Sequence, residues 1–173
     1  LKSRMFTLFH HAFCPHSRFV RLIFGEYGFD VRLVEERVWE RREAFLALNP
    51  ACTTPVLFAE GMPAIPGAGN IAEYVDEAWG AEVDAKRLMP AHLGERVEVR
   101  RLLSWFNEKF FEEASSPLVT ERIYKRFMPE QDGGGAPAAD VLRAAKANVR
   151  NHLTYIGWLA KTRNFLAGDR LTY

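Results

Sequence analysis

The apolar, strand-like run Met5 to Phe9 is followed after a short loop by Cys14-Pro15-His16-Ser17. Inside a helix a proline is tolerated only in the first turn, where its missing N–H leaves no hydrogen bond unmade. The chain must therefore run strand, loop (His10 to Phe13) and helix, with Cys14 at the helix N-terminus. Phe19, Leu22, Ile23 and Glu26 continue at helical spacing, and Gly28 supplies a C-terminal stop.

Val31 to Glu35 alternate as a strand with one buried face. Trp39 to Leu48 reads as one short helix with Phe45 and Leu48 inward, ended by Asn49-Pro50. Pro55 leads into the buried strand Val56-Leu57-Phe58, and Gly61 turns the chain into Pro63-Ala64-Ile65. Asn70 is placed to cap a helix holding Ile71, Tyr74 and Val75. Residues 5–79 thus read β-α-β-α-β-β-α. Residues 80–90 lack periodicity and form the expected linker. In 91–173, two long helices carry bundle stripes: Val99, Leu102, Leu103, Phe106 and Phe110, then Leu142, Ala145, Val149, Leu153, Ile156 and Ala160. Gly133-Gly134-Gly135 between them predicts a mobile loop.

With 173 residues, length alone does not choose between one domain and two small ones. A formal charge of +1 gives no electrostatic case for nucleic acid, and no run is apolar and long enough for a membrane span. No signal peptide is visible, and the two cysteines, Cys14 and Cys52, are too few for a disulfide scaffold, so a cytoplasmic protein is expected. Met5 reads as a natural start after Leu1 to Arg4. Gly168-Asp169 and Thr172 announce a further helix, so a C-terminally incomplete fold is expected.

Together, Phe9 to Ser17, Phe45 to Pro50, Thr54-Pro55-Val56-Leu57, Ile71 to Val75 and Asn164 to Asp169 resemble the glutathione-transferase superfamily. The resemblance covers essentially the whole chain. It implies an α/β plus all-α architecture, with a thioredoxin-like N-terminal domain and a helical C-terminal domain. Trp39 to Arg42, Trp105 to Phe110 and Glu121 to Arg126 also resemble a narrower, transferase-like group, the FzlA-type division proteins of alphaproteobacteria, which bind FtsZ.

The transferase resemblance implies two uses for the motif. Cys14, where helix N–H groups and the helix dipole favour a thiolate, would be a nucleophile forming a mixed disulfide with glutathione. Ser17 stands where dithiol relatives have a second cysteine, leaving a monothiol route; its hydroxyl is otherwise the one that would bond a glutathione sulfur, or a first-turn residue satisfying a backbone N–H. Pro55 is expected in a cis peptide that leaves the backbone of Thr54 to meet a peptide-like ligand. Glutathione-binding relatives carry an acidic residue and a serine where this chain has Gly67 and Ala68. Two partners of a charged ligand end are thereby missing, each worth about 1.5–3 kcal/mol. His10, His11, Cys14 and His16 match no closed zinc spacing, and a Cys14–Cys52 pair stays open.

Trp39, Arg41 and Arg42, and Arg122, Lys125 and Arg126, mix an aromatic or apolar neighbour with cations. Such sets suit an interface, or a solvated face with Ile123 and Phe127 inward. The narrower resemblance favours the interface: a homodimeric, cytoplasmic adaptor at the division site, binding FtsZ filaments, with no required cofactor and weak or no transferase activity. The alternative is a glutathione transferase or glutathione-dependent thiol reductase using Cys14.

Overall fold

The computed structural model describes residues 5–173. Leu1 to Arg4, the residues ahead of the presumed start, lie outside the described residues. The chain divides into two compact units, with the boundary between Leu88 and Met89.

The first unit contains β1 (Phe6–His10), α1 (Pro15–Tyr27), β2 (Val31–Glu35), a 3-10 turn (Val38–Glu40), α2 (Glu43–Leu48), β3 (Val56–Phe58), β4 (Ile65–Pro66), α3 (Ala68–Val83) and a 3-10 turn (Asp84–Lys86). The sheet order is β2-β1-β3-β4. β1 pairs parallel with β2, Phe6 opposite Val31, and antiparallel with β3, Leu8 opposite Leu57. β3 and β4 are antiparallel. Leu8, Val20, Ile23, Val56, Leu57, Ile71 and Val75 are fully buried or nearly so. Phe6 meets both Phe24 and Trp79 edge-on, a geometry aromatic rings prefer.

Gly28 closes α1 in the left-handed region, φ 68°, with its N–H on the Gly25 and Phe24 carbonyls. The buried face of α1 differs from the expected one: Ser17, Val20, Ile23, Phe24 and Tyr27 point inward, while Leu22 is exposed. Trp39 to Leu48 is not one helix. Arg41 takes φ 46°, which no α-helix accommodates, and splits the segment into the 3-10 turn and α2. Helix α3 runs on to Val83, so Gly80 is a buried helical residue and not the start of an irregular segment. Within this helix Asp76 holds Arg87 bidentately, Nε to Oδ1 at 2.7 Å and Nη2 to Oδ2 at 2.8 Å.

The second unit contains α4 (Leu93–Ser104), a π-helical segment (Trp105–Ser115), α5 (Ser116–Arg122), 3-10 turns at Tyr124–Arg126 and Glu130–Asp132, and α6 (Ala139–Thr162). Met89, Val99, Leu102, Leu159 and Ala167 form its core, with Leu103, Phe106 and Tyr155 packed around them. The expected stripe on α6 is displaced. Ala145, His152 and Leu159, seven apart, are its buried residues, and Leu153 is exposed. A π-helix brings residues nearly five apart to one side, and Trp105 and Phe110 accordingly both lie edge-on to the His152 ring. His152 Nε2 is 2.9 Å from Glu113 Oε2, and Asn148 donates to the Glu113 carbonyl at 2.9 Å.

Candidate functional site

Cys14 is the N-cap of α1. Its Sγ accepts the N–H of Ser17 at 3.4 Å, closing the first turn as a serine or aspartate oxygen would. The S–H in turn donates to the Thr54 carbonyl at 3.5 Å. The main chain is equally fixed: Cys14 N–H donates to the His11 carbonyl, and Arg18 N–H to the Cys14 carbonyl, both at 3.0 Å. The residue is only 7% exposed. Chemically, Sγ is placed to receive helix N–H density, but its proton is engaged and its approach is covered.

Ser17 is buried, and its hydroxyl accepts the N–H of His11 at 3.3 Å. The side chain therefore stitches the β1–α1 loop to the first turn of α1. Cys52 takes φ 53° and donates its thiol to the Val38 carbonyl at 3.2 Å. Both cysteines are free thiols.

The Thr54–Pro55 bond is cis. Thr54's carbonyl, expected to meet a peptide-like ligand, receives the Cys14 thiol. The Pro55 carbonyl accepts the N–H of Gly67 at 3.0 Å, which ties the start of α3 to this loop. Gly67 is the N-cap of α3 with φ 88°, a conformation that favours glycine, and it makes no side-chain cap. Ala68 follows, buried. Asn70 is not the cap: α3 has already begun, and its Nδ2 donates to the Pro66 carbonyl at 2.9 Å. The positions expected to hold a charged ligand end thus carry no polar side chain.

His10 and His11 are buried, and burial is the main reason both titrate below the usual histidine range, with Arg21 adding to it at His10. His11 Nδ1 accepts the N–H of Phe13 at 3.3 Å. Among the described residues no group of three or more His, Cys, Asp or Glu side chains converges as a metal site.

The remaining candidates fall into the two units separately. In the first, Trp39 meets the His11 ring edge-on at 5.4 Å, beside the motif loop. Arg41 is exposed. Arg42 is bound through Nε, at 3.2 Å, and Nη2 to the carboxylate of buried Glu36, so one expected interface cation also neutralises the interior. Glu35, Arg37, Glu40 and Arg42 line a shallow groove of about 300 Å³. In the second unit, Lys125 is paired with Glu121 at 2.7 Å, and the Glu121 carboxylate also accepts the Ala138 N–H. Arg122 and Arg126 remain exposed. Phe127, expected inward, is 57% exposed, because α5 ends at Arg122 and the turn at Tyr124–Arg126 redirects the chain.

Sequence reasoning did not foresee Glu36, the Asp76–Arg87 pair or the His152 cluster. For the last a signal exists: Trp105/Phe110 and Phe106/Phe111 are spaced by five, which suits a π-helix.

Four similarities bear on this geometry. A model of the family "Glutathione S-transferase, N-terminal domain" matches residues 13–78. FtsZ-localized protein A of Caulobacter vibrioides is 36% identical over 169 residues, which are 96% of this chain and 71% of that protein. A glutathione S-transferase from Sinorhizobium meliloti superposes with a TM-score of 0.95 at 47% identity, covering 98% of this chain and 73% of that one. The structure of FzlA from C. crescentus superposes with a TM-score of 0.84 at 34% identity, covering 97% of this chain and 72% of that one.

Proposed function

The chain belongs to the glutathione S-transferase family, in the group of FtsZ-localized protein A, and on that basis we propose that it acts mainly as an FtsZ-binding cell-division adaptor. The single observation that carries this reading is 36% identity sustained over 96% of the chain with a protein named for its localisation to FtsZ. The site supports it from the other side. Gly67 and Ala68 offer no side-chain partner to a charged ligand end, and the Cys14 thiol is buried and bonded.

In this reading the protein works as a cytoplasmic homodimer at the division site, needs no cofactor, and has weak or no transferase activity. Among the described residues no helix is long and apolar enough to cross a membrane. Trp39 and Arg41 in the first unit, and Arg122 and Arg126 in the second, are the contacts assigned to the filament. Arg42 and Lys125 support them from their internal pairs.

A second reading, glutathione-dependent transfer or thiol reduction through Cys14, is favoured by one observation: Sγ sits on the N-terminus of α1 and accepts a helix N–H. Co-sedimentation with polymerised FtsZ decides between the two. Pelleting of the chain with filaments above a control protein is expected, and its absence together with millimolar-or-tighter glutathione binding would select the enzyme.

A further inference from the structure

Helix α6 carries a row of charge of one sign. Arg143, Lys146, Arg150 and Leu153 stand three, four and three residues apart, spacings that set side chains in line along one side of a helix. All four are exposed, Leu153 by 57%. The opposite side is occupied by Ala145, His152 and Leu159, the buried residues of the helix.

The three cations differ from four others in this unit. Arg101, Lys109, Lys125 and Arg163 each sit on a carboxylate. Among the described residues, Arg143, Lys146 and Arg150 have no such partner, and the only carboxylate on α6 is Asp140, in its first turn. Like charges at these spacings oppose helix formation, and on α6 only Asp140, three residues before Arg143, stands to offset them. Soluble surfaces ordinarily mix the two signs, and a row of one sign acts at a distance on a partner of the other.

We infer that this row docks a carboxylate-bearing segment of the protein partner, with acidic side chains meeting Arg143 and Arg150, about 10 Å apart along the axis, and an apolar residue against Leu153. The inference rests on the FtsZ reading and places that acidic segment on the filament. Two other anionic partners fit less well. A nucleic acid has no use for Leu153 in the row, and the chain as a whole carries only +1. A lipid surface requires a broad apolar face along the helix, and the row supplies one leucine.

The test is co-sedimentation of the full chain with polymerised FtsZ at about 50 mM and about 300 mM KCl, where screening differs strongly. The variants are Lys146→Glu/Arg150→Glu, the milder Lys146→Gln/Arg150→Gln, and Arg18→Glu/Lys86→Glu as an equal charge change elsewhere. Wild type is expected to bind more weakly at high salt. The α6 reversal should bind roughly tenfold more weakly at low salt and show a smaller salt dependence than wild type, with the neutral pair intermediate and the control pair near wild type. Thermal melting of the neutral α6 variant should be no lower than wild type, because the exchanged side chains have no partner and their mutual repulsion is removed; should the reversal fail to fold, the neutral pair alone decides. Variants that bind filaments like wild type overturn the inference while leaving the FtsZ reading intact. So does a reversal that abolishes binding to a short DNA duplex or to phosphatidylglycerol vesicles but not to filaments. A wild-type chain that does not pellet with filaments at all removes both readings.

Discussion

The thiol of Cys14 donates its hydrogen to the carbonyl of Thr54 at 3.5 Å, so the two groups that the transferase resemblance assigns to glutathione are bonded to each other. Alkylation requires the sulfur to leave that bond and become accessible, and the residue is 7% exposed. Iodoacetamide at neutral pH should therefore label Cys14 at least about tenfold more slowly than the same thiol in urea, read by peptide mass spectrometry. Cys14→Ser should fold normally, because a serine hydroxyl caps Ser17 N–H and can reach the same carbonyl. Rapid labelling of the native protein would return Cys14 to the role of nucleophile.

Gly67 and Ala68 determine the second expectation. Two absent side-chain partners at about 1.5–3 kcal/mol each remove roughly two to four decades of affinity for a charged ligand end. Calorimetry should accordingly show no glutathione binding tighter than millimolar. Restoring the site is asymmetric. Ala68→Ser adds a hydroxyl at the first residue of α3 without changing backbone geometry. Gly67→Glu forces a side chain onto φ 88° and should lower the melting temperature. Tight binding by the unaltered chain would contradict the adaptor reading.

Cys14-Pro15 made the start of α1 legible, and Gly28 its end, because each rests on a local backbone rule. The element order of the first unit followed equally from short apolar runs between turn residues. What was not legible depended on tertiary partners. Arg41 broke a segment whose composition suits a helix, and Glu36 and Asp76 are buried carboxylates whose arginines lie six and eleven residues away. The π segment was hidden for a related reason: its aromatics at a spacing of five overlap a three-four pattern until His152 picks out the pair that touches it. At the candidate site, the residue types were readable but their engagement with one another was not.

Arg41 and Arg42 are neighbours with different occupations, and that separates binding from stability. Arg42 holds the buried Glu36 carboxylate, so Arg42→Ala leaves an uncompensated charge in the interior and should lower the denaturation midpoint. Adding Glu36→Gln to that variant should recover much of the loss. Arg41→Ala removes an exposed side chain and should leave the midpoint almost unchanged while weakening filament pelleting. Equal midpoints for Arg41→Ala and Arg42→Ala would show that the Glu36 pair contributes nothing.

Stability should fall with acid in two separate windows. His10 and His11 have folded pKa values below the ordinary 6.5, chiefly through burial. In that range the unfolded chain binds more protons than the folded one, so stability is complete above 6.5 and declines as pH falls from there toward the folded values. Glu98 titrates at about 2 instead of 4.5, because Arg101 and then Arg163 hydrogen-bond its carboxylate. Its contribution is present above 4.5 and is lost as pH falls from 4.5 toward 2. Urea midpoints measured from pH 7.5 to 3 should decline in both intervals. His10→Asn should make the upper decline shallower and leave the His11 part, since among the described residues His10 Nδ1 has no hydrogen-bond partner to lose. Glu98→Gln should make the lower decline shallower, the remainder belonging to Glu113 and Glu121, which Lys109 and Lys125 hold below the usual carboxylate range, and leave the upper unchanged. A midpoint constant from pH 7 to 5 in the wild-type chain would mean that the two histidines are no less protonated folded than unfolded.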